Sequence, residues 1–411
     1  MKVGVVGSGL GGLLSGVSLA KKGHEVTVFE KLPYFGGRFT NINYEGFELS
    51  TGALHMIPHG NNGPLALMLR SLGVDIEIVP SKPRGTYLIG GRSYRHSEVP
   101  SFFSLSDRLR LTKILAELKL SSGGDESYLD WLKKRVKNKL LFDISDSFCG
   151  WALSTDAAGV SSRELIAIAK NIYKYGAAGV PMGGCKGVTS ALMAKFEGLG
   201  GEVLLKTPVD SIEVDNGRAV GLSTKKESFD FDVVISDVGP KVTIGVCGEE
   251  DFDPSYVKSM MNVRGASGVK ISIACDRPMI GHTGVLLTPE AKRVDGANEV
   301  TNADPSLAPD GMHLLMSHQK FLGGDIKAEI ELGLDDLRDI FPGFDKHCRV
   351  LLVQTYRDGW PVNRVASGKH IGPVSPVEGL FYVGDAIKPE GWMETEGVAK
   401  GVEMMLNSLG G

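Results

Sequence analysis

The first thirty residues constrain the fold more than any other part of the chain. A short valine-rich run, Lys2–Val6, ends in the glycine turn 7–12 (GSGLGG), and an apolar-periodic segment follows to Lys22. A second β-branched run, Glu25–Phe29, then leads to Glu30. Strand, glycine turn, helix, strand and terminal acid in this order predict the βαβ unit of a Rossmann-type dinucleotide-binding domain.

Each part of this unit has a distinct physical task. Gly7 allows the tight turn, Gly9 lets the backbone approach a pyrophosphate, and Gly12 lets helix and strand pack closely. The free N–H groups at the start of the helix face the phosphates, and Glu30 accepts hydrogen bonds from the ribose hydroxyls of the adenosine. The cofactor contacts predicted here are Gly7, Ser8, Gly9, Leu10, Gly11, Gly12 and Glu30.

The next segment separates a flavin from a nicotinamide cofactor. The run 28–39 (VFEKLPYFGGRF) resembles the second part of the FAD signature in the flavin amine oxidase and phytoene desaturase superfamily. The resemblance implies that Arg38 reaches the FAD phosphates, with Lys31 and Gly37 also at the cofactor. A planar guanidinium suits this role, since it binds phosphate oxygens through two parallel hydrogen bonds.

A second motif lies at the far end of the chain. An apolar strand over Gly379–Val383 is broken by residues 384–386 (GDA), and a helix follows to about Leu406. This resembles the C-terminal FAD motif of the superfamily, in which Asp385 binds a hydroxyl near the ribityl chain and the following helix directs its positive end at the isoalloxazine. The bulky run 388–394 (KPEGWME) departs from the family pattern. The residues implied are Gly384, Asp385, Met393, Glu394 and Val398.

A third patch, 200–212, resembles the central strand of the superfamily, whose valine meets the adenine; here that residue is Val209. Asn216-Gly217 predicts a hairpin turn, and residues 232–236 (DVVIS) predict a returning strand. The fold class expected is α/β: a Rossmann-type FAD-binding domain with a parallel sheet, helices and a β-meander, plus a mixed α+β substrate domain. The first comprises 1–70, 187–247 and 372–411; the second comprises 71–186 and 248–371.

Within the second domain, the leucine spacing from Ser104 to Asn138 predicts a helix. The basic cluster 131–139 is either a contact for anionic lipid or an ordinary solvated helix face. Met182 and Cys185 are either cavity-lining or core residues, and Tyr356 and Trp360 are either aromatic walls of the active site or core residues.

Two residues are candidates for catalysis. Lys270 lies in the alternating run 268–274, and the resemblance implies a lysine on such a strand, bridged by water to flavin N5; the alternative is a strand lysine that faces the surface. His55 follows a segment that passes beside the isoalloxazine in the superfamily. It is either an acid or base there or a structural histidine.

Composition narrows the class of partner. The chain has 411 residues, 42% of them hydrophobic, which suffices for two packed cores. A net charge of −4 gives no reason to expect nucleic acid, so the predicted partner is a small, apolar substrate. Five cysteines without C-x-x-C spacing suggest neither a metal site nor a disulfide framework. We therefore expect a cytoplasmic protein, with a peripheral membrane contact left open.

The chemistry expected is hydride transfer from a C–H or C–N bond to FAD, with oxygen or a quinone as electron acceptor. A noncovalent flavin is expected, because no cysteine follows Cys348. A desaturase of the phytoene dehydrogenase type is favoured. The alternatives are an amine oxidase, a non-redox carotenoid-type isomerase that uses reduced FAD, and a binding protein like the Rab GDP-dissociation inhibitors.

Overall fold

A computed structural model describes residues 1–53, 55–357 and 370–410. In these ranges the helices are α1 (Leu10–Lys21), α2 (Pro64–Leu72), α3 (Leu105–Leu120), α4 (Tyr128–Lys133), α5 (Lys139–Leu153), α6 (Ser162–Tyr175), α7 (Gly184–Gly198), α8 (Pro240–Cys247), α9 (Pro254–Met261), α10 (Ile326–Ile340), α11 (Phe344–His347) and α12 (Glu394–Leu409). None of these helices combines the length and the apolar content needed to cross a bilayer.

The strands of the described residues form five sheets. The first strands are β1 (Lys2–Val6), β2 (Glu25–Phe29), β3 (Asn41–Tyr44), β4 (Phe47–Ser50), β5 (Ile78–Pro80), β6 (Gly85–Ile89), β7 (Arg92–Arg95), β8 (Gly179–Pro181) and β9 (Glu202–Leu204). The others are β10 (Ser211–Asp215), β11 (Arg218–Ser223), β12 (Ser228–Asp230), β13 (Val233–Ser236), β14 (Gly268–Cys275), β15 (Val285–Leu287), β16 (Gly296–Glu299), β17 (His313–Lys320), β18 (Cys348–Tyr356) and β19 (Leu380–Tyr382).

The first of the two large sheets is parallel and has five strands, in the order β19-β13-β1-β2-β9. One face packs on α1, α2, α7 and α12 through an apolar cluster that includes Val3 and Val5. The other face packs on the meander β10-β11-β12 and on α8 through Val6 and Val234. The alternation follows from strand geometry, in which successive side chains point to opposite faces. The Rossmann-type α/β fold predicted from the first thirty residues is confirmed.

The second large sheet is mixed and has seven strands, in the order β18-β14-β17-β16-β15-β6-β7. Every residue of β14 is buried. Ile271 and Ile273 face α10, whereas Ala274 faces α5 and the hairpin β3-β4. The hairpin therefore lies between the two large sheets, and Lys270, on the same side of β14 as Ala274, points toward it.

All strands of the parallel sheet fall within the segments predicted for the FAD-binding domain, and all strands of the seven-stranded sheet fall within those predicted for the substrate domain. Helices α2 and α7 run across the expected limits at 70/71 and 186/187. The domain boundaries themselves stay a prediction.

Two local predictions have different outcomes. The hairpin turn at Asn216-Gly217 is confirmed: both residues have positive φ, 51° and 80°, and they join β10 to β11. The helical pattern from Ser104 to Asn138 is divided in the structure between α3 and α4. Ser121 leaves helical geometry with ψ 148°, and a new helix begins only after Ser127, whose side chain accepts a hydrogen bond from the N–H of Asp130. Gly123 and Gly124 in the break lower helix propensity.

Candidate functional site

The parallel sheet brings the ends of four strands to one edge. Since β1, β2, β13 and β19 run in the same direction, the residues that follow them share the carboxyl edge of the sheet. These residues are Gly7, Glu30, Asp237 and Gly384. Ligands of open α/β sheets bind at such an edge, so this is the candidate site.

The turns at this edge are accessible, whereas the strands that lead to them are buried. The partly exposed residues are Gly7, Gly9, Gly37, Arg38, Asp237 and Asp385. The four strand residues Val3–Val6 are all buried. The six accessible residues come from four separate parts of the sequence, and the fold brings them together at the carboxyl edge of the sheet.

The first glycine turn has the geometry that the sequence predicts. Gly7 has a φ of 97°, which L side chains rarely adopt. A Cβ at Gly12 would collide with the carbonyl oxygen of Gly7, so this glycine does allow α1 to pack closely against β1. Gly9 is the N-cap of α1 and offers no side chain to its free N–H groups. The start of α1 is thereby suited to an anion.

Glu30 is held in place at the end of β2. Its Oε2 accepts hydrogen bonds from the backbone N–H of Ser8 at 2.9 Å and from its hydroxyl at 2.7 Å, and its Oε1 accepts one from the N–H of Leu32 at 2.9 Å. The Thr207 N–H donates to the Glu30 carbonyl at 2.8 Å, which brings the loop that carries Val209 beside it. The carboxylate is thus oriented before any ligand arrives.

The GG-R turn packs directly on the first glycine turn. The N–H of Gly36 donates to the carbonyl of Ser8 at 2.8 Å. A Cβ at Gly37 would lie 3.5 Å from the Cα of Gly9. Arg38 Nη1 lies 3.4 Å from Asp385 Oδ2, which joins two residues 347 positions apart. Lys31, in contrast, is exposed.

Asp237 is a site residue that the sequence analysis missed. Its carboxyl lies between the two glycine turns, because a Cβ on Gly9, Gly11 or Gly384 would collide with it or press against it. Burial raises the pKa of Asp237 to about 7, and the charge of Glu30 contributes, although the N–H of Gly12 and Arg38 oppose the shift. The carboxyl-edge argument could have found it, since Asp237 directly follows the predicted strand 232–236.

The residues predicted from the C-terminal motif lie in different environments. The strand Leu380–Tyr382 and the helix α12 are close to the predicted bounds. Met393 packs in an apolar cluster with residues of α5 and α6, and Val398 packs in the core of the parallel sheet. Glu394, the first helical residue, has a φ of 43°. Any flavin contact of Met393 and Val398 therefore stays a prediction.

Glu396, in the first turn of α12, was also missed. It is fully buried and accepts hydrogen bonds from the N–H of His59 at 3.1 Å and of Leu65 at 2.8 Å. Burial raises its pKa to about 7, while these two N–H groups oppose the shift. Leu65 lies in the first turn of α2, so Glu396 ties the start of α12 to the start of α2.

Segment 50–52 connects the seven-stranded sheet to the GG-R turn. The Thr51 hydroxyl donates to the Gly37 carbonyl at 2.9 Å, and a Cβ at Gly52 would collide with the Arg38 carbonyl. From the other side, Lys270 Nζ donates to the carbonyls of Ser50 and Gly52 at 2.5 and 2.7 Å, and to the Ser50 hydroxyl at 2.8 Å. Segment 50–52 therefore lies between the GG-R turn on one side and Lys270 on the other.

Lys270 is fully buried, so it does not face the surface. Burial lowers its pKa to about 7, a shift that nearby Cys185 opposes. In the described ranges its Nζ forms no ion pair with a carboxylate and binds three neutral oxygens. A lysine of this kind can exchange a proton near neutral pH. Whether it acts on a substrate stays a prediction.

His55 is buried beside Lys270, and within the described residues neither ring nitrogen has a hydrogen-bond partner. Burial lowers its pKa to about 3, with the charge of Lys270 as a further cause, so the ring is neutral at physiological pH. His318 lies directly across from Lys270 on β17, and its pKa is also lowered to about 3, chiefly by burial. Two neutral imidazoles therefore flank the lysine.

Gln354, which the sequence did not single out, and the candidate Tyr356 lie near Lys270 and segment 50–52. Gln354 lies opposite Lys270 on β18, and its side-chain N–H donates to the Thr51 carbonyl at 3.3 Å. Tyr356 is buried, with its hydroxyl 3.5 Å from the same carbonyl. Cys185 is buried in the core of the parallel sheet, and burial raises its pKa to about 12. Trp360 lies outside the described residues.

Comparison with known proteins identifies the family. Residues 10–395 match the family model of flavin-containing amine oxidoreductases. The chain belongs to this family, and the superfamily resemblance found in its motifs is confirmed. The family implies a flavin cofactor.

Three known proteins are similar to this chain over nearly its whole length. The crystal structure of an oxidoreductase from Methanosarcina mazei superposes with a TM-score of 0.94 at 43% identity, and covers 99% of this chain and all of that one. An uncharacterized protein of Methanocaldococcus jannaschii is 43% identical over 100% of this chain and 99% of its own length. Prolycopene isomerase of Daucus carota is 25% identical over 94% of this chain and 76% of its own length.

The residues at the edge fit a flavin nucleotide. An accessible glycine turn at a helix start without a side-chain N-cap and the neighbouring Arg38 together suit phosphate groups. The Oδ2 atom of Asp237 is buried and has no hydrogen-bond partner in the described part of the chain. This edge of the sheet thus offers positive charge, free N–H groups and a polar atom that lacks a partner in the described part of the chain.

Proposed function

We propose that this protein binds FAD without a covalent bond and uses it to remove a hydride from a C–H bond of an apolar substrate, as a desaturase does. One observation carries the proposal. Segment 50–52 packs on the GG-R turn and receives all three hydrogen bonds of Lys270. It therefore joins the nucleotide edge to the buried face of the seven-stranded sheet, where a substrate would meet the reactive ring.

The proposed cofactor contacts come from both ends of the chain. The start of α1 and Arg38 would hold the phosphates, and Glu30 would accept hydrogen bonds from the adenosine ribose through the lone pairs that its three donors leave free. Val209 would meet the adenine, and Asp385, already paired with Arg38, would bind a hydroxyl of the ribityl chain.

The flavin supplies the hydride-accepting atom when it is bound. The chain would supply a buried surface that excludes water and a buried side chain, Lys270, that can act as a base. His55 and His318 are neutral, so the only cation among these three side chains is Lys270, and its pKa near 7 allows it to accept or return a proton. Proton exchange by Lys270 would complete the removal of two hydrogens from neighbouring carbons of the substrate.

A second candidate is isomerisation without net electron transfer. The observation that favours it is the match to the prolycopene isomerase of Daucus carota, which spans 94% of this chain, whereas the match to a phytoene desaturase of Cereibacter sphaeroides spans 53%. The names of both relatives refer to polyenes, which supports an apolar polyene as substrate in either case. Oxygen or a quinone remains the proposed electron acceptor for the desaturase.

We also propose that the substrate reaches the protein from an anionic membrane surface through α3. Four leucines of this helix, Leu105, Leu109, Leu115 and Leu120, are 60 to 90% exposed, and Ile114 is its only buried residue. Residues 102–139 contain nine basic and five acidic side chains in a chain of net charge −4. Exposed leucines beside basic residues are typical of helices that lie in a membrane interface.

The basic cluster 131–139 lies next to this helix. Trp131, Leu132 and Val136 are buried in one apolar cluster with Ile114 of α3. Lys133, Lys134 and Lys137 are exposed. The cluster therefore packs its apolar side chains under α3 and directs its lysines outward, as a contact with anionic lipid requires.

An absorption spectrum of the purified protein tests the proposed function. We expect the visible bands of oxidised flavin, and denaturation should release FAD into the supernatant. Polyenes and amines are then added without oxygen. Bleaching of the bands by a polyene supports the desaturase, and conversion of a polyene by the prereduced protein, with the flavin still reduced afterwards, supports the isomerase. Bleaching by amines alone would contradict both, and a protein that takes up no added FAD would contradict the flavoenzyme itself.

A further inference from the structure

Two cysteines that are far apart in sequence face each other across neighbouring strands. Cys275, the last residue of β14, pairs directly with Cys348, the first residue of β18, 73 positions away. Their sulfur atoms are 2.8 Å apart, and both are free thiols. The sequence analysis expected no disulfide, because the spacing of the cysteines along the chain does not show this juxtaposition.

The strand register suits a covalent bond between them. The N–H of Asp276 donates to the carbonyl of His347 at 3.0 Å, which makes Cys275 and Cys348 a pair without hydrogen bonds of its own. In such a pair the Cα atoms lie about 4.5 Å apart, and the side chains approach closely. A disulfide typically spans about 4.4 to 6.8 Å between Cα atoms, so it needs no backbone movement here.

The two thiols differ in environment. Cys275 is fully buried in the apolar cluster against α10, whereas Cys348 is partly exposed. The hydrogen bond from the Cys275 thiol lowers the pKa of Cys348; Arg277 also lowers it, whereas burial, Asp276 and Glu299 oppose the shift. The same contact and burial raise the pKa of Cys275. Cys348 is therefore the thiol of the pair that loses its proton more readily, and it is the one that solvent reaches.

We propose that Cys275 and Cys348 form a peroxide-responsive pair that closes to a disulfide between β14 and β18. The Cys348 thiolate attacks a hydroperoxide, the O–O bond breaks, and Cys348 becomes a sulfenic acid while hydroxide leaves. The Cys275 sulfur then attacks the sulfur of Cys348, the S–O bond breaks, and the Cys275 proton leaves with the oxygen as water. Two thiols lose two electrons, and one hydroperoxide is reduced.

The bond would fix a strand that borders the candidate site. β18 is an edge strand of its sheet, held by β14 alone among the described strands. Its other end carries Gln354 and Tyr356 against segment 50–52. A bridge at Cys348 anchors β18 to the strand that carries Lys270, so oxidation should slow opening of this edge. The pair does not depend on the proposed reaction, although a flavin reoxidised by oxygen produces hydrogen peroxide.

The other cysteines provide the contrast. Cys149 and Cys185 are fully buried, and burial raises the pKa of each thiol. Cys247 is partly exposed, but burial raises its pKa to about 12. Cys275 and Cys348 are the two cysteines of the described ranges whose sulfur atoms contact each other, at 2.8 Å. Cys247→Ser is accordingly the matched control.

The test is treatment of the flavin-loaded protein with stoichiometric hydrogen peroxide, followed by alkylation and mass spectrometry. We expect the loss of two hydrogens, a linked peptide pair that contains Cys275 and Cys348, and reversal by dithiothreitol. Cys247→Ser should behave as the unaltered protein does. A protein that keeps both thiols free, or one that links other cysteines, overturns the proposal.

Two further variants test the order of steps. In Cys275→Ser the sulfenic acid cannot be resolved, so dimedone should label Cys348 at least about tenfold faster than it labels Cys247. In Cys348→Ser we expect no labelling of Cys275. Equal labelling of Cys348 and Cys247 would overturn the role of Cys348. Thermal unfolding of each variant verifies the fold, and wild-type protein with and without peroxide gives the same comparison without any substitution.

Discussion

Lys270 is the residue on which the proposed chemistry depends most. It is fully buried, binds three neutral oxygens and has a pKa lowered to about 7. We expect Lys270→Met to slow substrate-dependent flavin reduction by about 100-fold or more, as removal of a positioned acid–base group does. Anaerobic stopped-flow absorbance measures this rate.

The pH profile separates a chemical role of Lys270 from a structural one. In the wild type the rate of flavin reduction should rise as the pH rises through about 7, because Lys270 must be neutral to accept a proton. This rise should be absent in Lys270→Met. The exposed Lys241 provides the control variant, Lys241→Met, which should keep both the rate and the profile. An unchanged profile in Lys270→Met would assign the titration to another group.

Asp237 has a folded-state pKa of about 7 against an ordinary value of 3.8. Between these values the folded apoprotein binds a proton that the unfolded chain has released, so the free energy of unfolding falls as pH rises through this window. The loss is at most about 4 kcal/mol, since one unit of pKa corresponds to about 1.4 kcal/mol. Asp237→Asn should remove this dependence, as urea unfolding at several pH values would show.

The exposed Asp75 supplies the control for Asp237, because Asp75→Asn should leave the wild-type slope unchanged. If Asp237→Asn retains that slope, Glu396, whose pKa is also raised to about 7, becomes the group to test. Both carboxyls come from positions where the sequence shows only an acidic residue after a strand or inside a helix. Their burial depends on elements that pack against them from elsewhere in the chain.

At the scale of elements, α3 makes a prediction about binding. Burial of one leucine side chain is worth about 1.5 to 3 kcal/mol, so Leu109→Asp with Leu120→Asp should weaken binding to vesicles that contain phosphatidylglycerol by at least about tenfold. Cosedimentation measures this. The control Leu67→Asp alters a leucine that is 50% exposed on α2, and it should bind as the wild type does.

Salt and lipid composition complete the test of α3. Binding should weaken with added salt and with uncharged phosphatidylcholine vesicles, because basic side chains contribute through their charge. The alternative outcome is a wild type that binds vesicles of neither kind and elutes as a dimer in size-exclusion chromatography, while the double aspartate variant elutes as a monomer. That result would assign this surface to contact with a second copy of the chain.

Elements with a strong local pattern were predictable. The order of β1, α1 and β2 follows from the glycines and from apolar periodicity, and the turn at Asn216-Gly217 follows from the left-handed backbone that both residues adopt. The break after Ser121 was missed because leucines recur at helical spacing on both sides of it, although the run 121–127 (SSGGDES) between them contains three serines and two glycines. Periodicity alone cannot show where a helix pauses.

Contacts between distant elements were not predictable from the sequence. Lys270 could have faced either side of its strand, and the choice is made by the hairpin β3-β4, which lies against that face. Cys275 and Cys348 meet through a register that includes a bulge between Ser272 and Ile273. A shift of register by one residue would turn either thiol to the opposite face.

For the whole molecule, the site predicts a preference for the dinucleotide. FAD at about 100 times its Kd should raise the free energy of unfolding by about 2.7 kcal/mol and the Tm by a few degrees. FMN lacks the adenosine that Glu30 and Val209 would meet, so at equal concentration it should give a smaller shift. Equal shifts in differential scanning fluorimetry would contradict these two assignments.

The pairing of Arg38 with Asp385 has a consequence for biosynthesis. A ribosome releases the first glycine turn and Arg38 early, but β13 and β19, which lie on one side of β1, emerge much later. The site at the carboxyl edge thus cannot be complete on a nascent chain until residue 385 has left the exit tunnel, and the face of α1 that packs on α12 remains uncovered until α12 has emerged. We therefore expect the cofactor to be bound only after residue 385 has emerged, because a chain halted halfway would lack β13, β19 and Asp385.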